Sequence, residues 1–169
     1  MSPSVELRRV EAGEQRRLDA ALVSYLAELA PVEGTEPPAT YAYLPLYWTD
    51  PDRAAYWVVA DGRPAGFALA NAHVYLPGSR RSVAEFQVDP GWRRAGVGRR
   101  AAAALLAEHP GPWEVPVLPN HAAALAFWTT ALERSAPGRV SRVEPGAAAG
   151  WDGTLFVVGR AAGGQGGDA

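Results

Sequence analysis

The chain has 169 residues, 48% of them hydrophobic, enough for one folded domain with a sizeable core. Its net charge of −2 argues against binding nucleic acid or an anionic membrane as the main activity. It has no cysteine, which removes disulfides, cysteine–zinc sites and a cysteine nucleophile, and its three histidines are too few for a multi-histidine metal site.

The first residues, "MSPSVELRRVEAGEQ", are polar and charged, with no apolar core of a signal sequence, and no apolar run is long enough to span a bilayer. A cytoplasmic protein is expected. Lysine is absent, a bias that fits the alanine-rich composition of a GC-rich coding sequence and carries little functional weight.

Val5 to Val10 alternates well enough for a first strand. From Gly13 to Leu29, Leu18, Leu22, Leu26 and Leu29 recur at helical spacing, Val23 and Tyr25 widen the stripe, and Pro31 is expected to end the helix. Pro31 to Asp52 is rich in proline and aromatics and too apolar for a plain linker, which predicts an ordered irregular segment with room for a short helix. "AAYWVVADGRPAGFALANAHVYL" is a hairpin signal around Asp61-Gly62. A strand over Ser82 to Asp89, a helix over Gly96 to Glu108 and a short strand "WEVPVL" come after it. A helix over Asn120 to Leu132 is next, and "GRVSRVE" and "GTLFVVGR" close the series as an antiparallel pair. Residues 1–160 form the expected domain, and the glycine-rich stretch 161–169 is expected to be a flexible tail. This order predicts a mixed sheet in a single α/β or α+β sandwich.

The densest signal is "VDPGWRRAGVGRR", Val88 to Arg100, which gathers four arginines and three glycines between a strand and a helix. The first N–H groups of a helix lack internal partners and its dipole favours negative charge, so this junction is suited to a phosphate or pyrophosphate. Gly96 and Gly98 let backbone approach an anion closely, and the arginines add charge-assisted hydrogen bonds. A P-loop would need a lysine. "GVGRRA" matches a dinucleotide fingerprint, but Pro90 to Ala95 separate it from the strand end, and the next strand ends "VLPN" with no carboxylate for a ribose.

Arg93 to Gly98, "RRAGVG", matches the Q/R-x-x-G-x-G/A signature of the GCN5-related N-acetyltransferase (GNAT) superfamily, and "FQVDPGW" and "WEVPVLPNHAAALAFW" resemble its flanking elements. The resemblance covers the element order of nearly the whole chain, with the specific motifs in Val83 to Trp128. It implies a mostly antiparallel sheet of six to seven strands with helices on both faces, compatible with a homodimer. It also implies a cytoplasmic N-acetyltransferase using acetyl-CoA or another short acyl-CoA, with a small-molecule, peptide or protein amine as acceptor. By that resemblance the amides of Arg94, Ala95, Gly96, Val97, Gly98 and Arg99, with the Arg93 and Arg94 side chains nearby, hold the pyrophosphate. Phe86, Asn120 and Phe127 would also meet the cofactor. The pantetheine would lie between the strand ending in Val88 and the "WEVPVL" strand, with the Val88 amide on the thioester carbonyl, a placement suited to a developing oxyanion.

Aminolysis of a thioester needs a base. Glu85 stands inside the apolar run "SVAEFQV", expected to have Ala84, Phe86 and Val88 on the opposite face; an acid there is either paired, with Arg80 or Arg81 for example, or placed in a cleft with a raised pKa. The family pattern N-x-x-A-x-x-F/L-Y/W, aligned on Ala124, Phe127 and Trp128, puts His121 where asparagine is usual, with Asn120 one residue earlier. Many members have a tyrosine acid near the Trp128 position. An indole cannot serve, so the proton for the leaving thiolate comes from His121, another tyrosine or solvent, or is not needed. Tyr41, Tyr43, Tyr47 and Trp48, with acids Glu33, Glu36, Asp50 and Asp52 near them, suit an ammonium-bearing acceptor; they equally suit core aromatics and surface acids. His73 could reach the same pocket. The rival of another class is a non-catalytic acyl-CoA-binding sensor on the same fold.

Overall fold

Asp61 and Gly62 both turn the backbone left-handed, with φ of 48° and 74°, and close the hairpin of β2 (Ala54–Ala60) and β3 (Arg63–Asn71). In the computed structural model, which describes residues 1–159, this hairpin sits inside a seven-stranded sheet of order β1-β2-β3-β4-β5-β7-β6. The others are β1 (Val5–Arg9), β4 (Arg81–Val88), β5 (Trp113–Val117), β6 (Val140–Val143) and β7 (Thr154–Val158). Every neighbouring pair is antiparallel except β4 and β5, which the crossover through α2 (Val97–Glu108) makes parallel. The tail expected at 161–169 lies outside the described residues.

Helices cover both faces, as expected. On one face Leu105 and Leu106 of α2 and Trp128 and Leu132 of α3 (Ala122–Ser135) pack against Val83, Val115 and Phe156. On the other, Leu18 and Leu22 of α1 (Gln15–Glu33) are fully buried against Trp57, Phe67 and Leu69. Each such aliphatic side chain contributes roughly 1.5–3 kcal/mol by leaving water.

Among the helix bounds that differ from the sequence expectation, two have a clear local cause. Pro31 does not end α1, which runs to Glu33 and stops at left-handed Gly34 (φ 68°). Proline costs a helix one hydrogen bond and a clash with the preceding turn. Here the amides of Gly34 and Thr35 both close on the Ala30 carbonyl, and Ala30 is buried, so the last turn holds. The α3 helix starts two residues later than expected, because Asn120 is left-handed (φ 65°) and His121 is the N-cap.

Two irregularities break the sheet at its centre. Leu69 faces Glu85 while Ala70 faces Val83, so Ala84 is an extra residue, a β-bulge in β4. The parallel pairing of β4 with β5 is limited to Arg81↔Trp113 and Ser82↔Glu114. Beyond that point the two strands part, leaving a fork.

Candidate active site

The strand β4 carries the site on its edges and on both faces. The Asp89 amide donates to the Ala65 carbonyl at 2.8 Å, so this direction of the backbone faces β3. Amides alternate along a strand, which turns those of Phe86 and Val88 to the opposite edge, into the fork. The Val88 carbonyl shares that edge and accepts a 2.8 Å hydrogen bond from Arg93 Nε.

After β4 the chain makes one 3-10 turn, Pro90–Trp92, and then passes through left-handed Arg94 (φ 62°) and Gly96 (φ 79°) into α2. Arginine in that conformation is uncommon, and such outliers gather where backbone geometry serves a site. Gly96 is the N-cap, and no side chain among the described residues caps the first turn. The amides there are open donors at the positive end of the helix, anchored by fully buried Val97. The arginine side chains divide. Arg93 is committed to Val88 and, at 3.8 Å, to Glu28 of α1; Arg99 reaches Ser135 at 3.1 Å; Arg100 holds the Pro3 carbonyl. Arg94 stands exposed.

Gly98 has a packing reason of its own. A Cβ there would come within 2.9 Å of the Phe127 ring and 3.5 Å of the Val88 side chain. Phe127 stacks on Phe86 at 5.7 Å between centroids, and Trp128 lies 5.1 Å from both rings. Trp128 is buried, in keeping with a core role.

Glu85 is partly buried on the α1 face, directly opposite fully buried Leu69. Phe86 packs on the other face, as expected, but Ala84 does not: the bulge turns it toward the α1-face cluster beside Glu85. Burial pushes the Glu85 carboxyl up to about 7, and the negative charge of Glu33 adds to the shift; the hydroxyls of Tyr41 and Tyr25 oppose it by hydrogen bonding. Among the described residues Glu85 forms no ion pair with Arg80 or Arg81, and Arg81 turns to Asp52 at 3.6 Å.

The tyrosine segment divides as well. Tyr41 is half-buried, and burial and Glu85 raise its hydroxyl pKa. Tyr43 is 59% exposed. Tyr47 belongs to the core at 3% exposure, its hydroxyl buried without a partner, and Trp48 packs against the same cluster. The exposed His73 adjoins this group through Arg53, whose guanidinium lies over the Tyr43 and Tyr47 rings and 2.7 Å from His73 Nε2; a guanidinium only donates, so this imidazole nitrogen accepts. Arg53 itself is buried, 3.2 Å from Asp50 and 5.5 Å from the Tyr47 ring centre.

Asn120 and His121 line a cavity of about 300 Å³ where the end of β5, the start of α3 and the β6–β7 region meet. His121 Nδ1 accepts from the Ala124 amide at 3.2 Å.

Sequence reasoning passes over three residues. Tyr25 reads as part of the apolar stripe of α1. Asp19 accepts from the Tyr41 amide and the Thr40 hydroxyl. Glu114 is fully buried, its two oxygens accepting from the amides of Tyr75 and Leu76 at 2.8 Å. Its signal is present: an acid within the apolar strand "WEVPVL", the same sign that singles out Glu85.

Residues 20–132 match the family model described as Acetyltransferase (GNAT) family. The chain belongs to this family. No curated protein sequence matches it. Solved structures show the same fold for this GNAT chain. An acetyltransferase from Thermus thermophilus is 17% identical, with 91% of this chain and 95% of that one covered and a TM-score of 0.61. The diaminobutyrate acetyltransferase of Paenibacillus lautus, solved with L-2,4-diaminobutyric acid and coenzyme A, is 20% identical over 93% and 95%, TM-score 0.61. The PaiA N-acetyltransferase of Thermoplasma acidophilum, solved with coenzyme A, is 10% identical over 91% and 98%, TM-score 0.56. No helix among the described residues is long and apolar enough to cross a membrane.

Proposed function

We propose that this GNAT chain is an N-acyltransferase that moves an acetyl or other short acyl group from CoA to an amine, by direct transfer in a ternary complex. The observation that carries this reading is the fork: it opens the sheet between an anion-binding helix start on one side and a carboxyl tuned to about 7 on the other. Acetyl-CoA supplies an activated acyl group whose carbonyl oxygen gains negative charge as an amine attacks.

The chain's own groups suit that chemistry. The uncapped amides of the first turn of α2 bind the pyrophosphate, with exposed Arg94 beside them. The Val88 amide, turned into the fork, donates to the developing oxyanion. Glu85 takes the proton from the attacking nitrogen, and a base with a pKa near 7 is matched to that task. A CoA thiolate is a good leaving group, so transfer proceeds without a side-chain acid. Exposed Tyr43, with the acids Glu33 and Glu36, supplies the aromatic surface and negative charge that suit a cationic acceptor.

Release of free CoA from acetyl-CoA across a panel of small amines and amino-terminal peptides tests the reading. Turnover with at least one amine is expected, and Glu85→Gln should lower kcat/KM by roughly 10²–10⁴-fold. Buried Trp128, standing where many members carry a tyrosine, favours the sensor as the second reading. Saturable acetyl-CoA binding with no turnover across the panel would select it.

A further inference from the structure

A strand that stops pairing leaves its edge groups without partners, and each needs another. The ladder between β4 and β5 ends at Ser82↔Glu114, so β5 offers nothing to the two backbone groups that Val88 turns into the fork. The two fare differently. The carbonyl accepts the Arg93 Nε–H at 2.8 Å, the kind of bond a neighbouring strand would otherwise supply. The amide on the same edge has no strand partner among the described residues. Arg93 is well braced for its part. The Trp92 amide donates to the Asp89 carbonyl at 2.9 Å and the Arg93 amide to the Pro90 carbonyl at 3.3 Å, which fixes the Arg93 backbone close to the strand end. The side chain is half-exposed, and holding it in one position costs rotamer freedom. It is nevertheless held on two sides, at Nε by Val88 and at Nη2 by Glu28 of α1, 3.8 Å away.

We infer that Arg93 is a positioning residue and not a phosphate ligand: by holding the Val88 carbonyl it fixes the last residue of β4, so that the Val88 amide stays aimed into the fork. The inference deepens the transferase reading and rests on it for the acyl carbonyl that this amide would meet. The two roles have different kinetic signatures. A donor to a developing oxyanion acts most strongly in the transition state, so a small misplacement lowers kcat. A phosphate ligand grips the cofactor equally before and during the reaction, so its loss raises KM and leaves kcat alone. They also differ in what can replace the arginine. In glutamine the amide nitrogen is bonded to Cδ, as Nε is in arginine. It can donate to Val88 from the same place but brings no charge to a phosphate.

Two measurements on the full chain test this. The first follows the arginine Nε–H signals by ¹H–¹⁵N NMR, with Arg93 assigned by Arg93→Gln. The Arg93 Nε–H should exchange with water roughly tenfold more slowly than that of exposed Arg94, and should keep this protection when CoA is added. Exchange as fast as at Arg94, or protection lost on adding CoA, overturns the inference. The second is steady-state kinetics with acetyl-CoA and an amine found by CoA release. Arg93→Met should lower kcat roughly 10–10²-fold with KM for acetyl-CoA within about twofold of wild type, and Arg93→Gln should restore kcat to within about threefold. A raised KM with unchanged kcat in Arg93→Met, or a glutamine variant as impaired as the methionine one, overturns the inference. Absence of turnover in wild type would instead overturn the transferase reading, and the exchange measurement would still decide whether Arg93 holds Val88.

Discussion

Among single residues, Glu85 shows how burying a carboxylate costs stability. A carboxyl whose folded pKa is raised to about 7 from 4.5 binds its proton more tightly in the native than in the unfolded state. Stability contributed by that proton is full below about pH 4.5 and is lost as pH rises toward about 7. Glu85→Gln removes the penalty, so its Tm should match that of wild type in melts near pH 4.5 and exceed it above pH 7. The gain is of order 1–3 kcal/mol, discounted for partial exposure, or several degrees for a chain of this size. A variant no more stable than wild type above pH 7 would mean that the carboxylate is well solvated. Glu85 is legible in the sequence because an acid in an apolar strand has few bland explanations. Its partners are not. Tyr25 has the spacing of a core residue and is one, apart from its hydroxyl, and no local pattern ties Asp19 to Tyr41 across the turn after α1.

Among the elements, β4 and its neighbours carry the most information. The alternation that marks Ser82 to Asp89 as a strand predicts opposite faces for Glu85 and Phe86 correctly, and fails at Ala84. A bulge is set by pairing with β3, and one strand's sequence does not contain it. The glycines of the loop after β4 are readable because left-handed Gly96 and the crowded Gly98 leave few alternatives. The arginines are less so: charge is visible in a sequence, but the engagement of Arg93, Arg99 and Arg100 with Val88, Ser135 and Pro3 depends on tertiary contacts. Glu114 acts between elements too, because it ties the β3–β4 loop to β5 at the point where the fork opens. Glu114→Gln would set an NH₂ donor against one of the two amides it serves. Calorimetry should show a loss of roughly 1.5–3 kcal/mol, and an unchanged Tm would mean that the loop is held by its packing alone, through Tyr75 on Trp151.

Across the whole molecule, one helix touches three parts of the proposed site. Glu28 of α1 pairs with Arg93 of the loop, Tyr25 faces Glu85, and Asp19 holds Tyr41. The open helix start, the fork and the Glu85 carboxyl all border β4, with α1 packed on the Glu85 face. The order of elements follows from hydrophobic periodicity in the helices and from the apolar runs of central strands such as β2, which is buried on both faces. The fork does not, since it arises from where two strands stop pairing.

The most direct test is a calorimetric titration with acetyl-CoA, CoA and NAD on wild type and on Gly96→Glu. That substitution forces a side chain into left-handed backbone and sets a negative charge where the anion would sit. Wild type should bind acetyl-CoA and CoA saturably and NAD not at all, and the variant should lose both CoA ligands. Failure of acetyl-CoA to bind, or binding that survives Gly96→Glu, would overturn the assignment of the loop to the cofactor and the transferase reading with it.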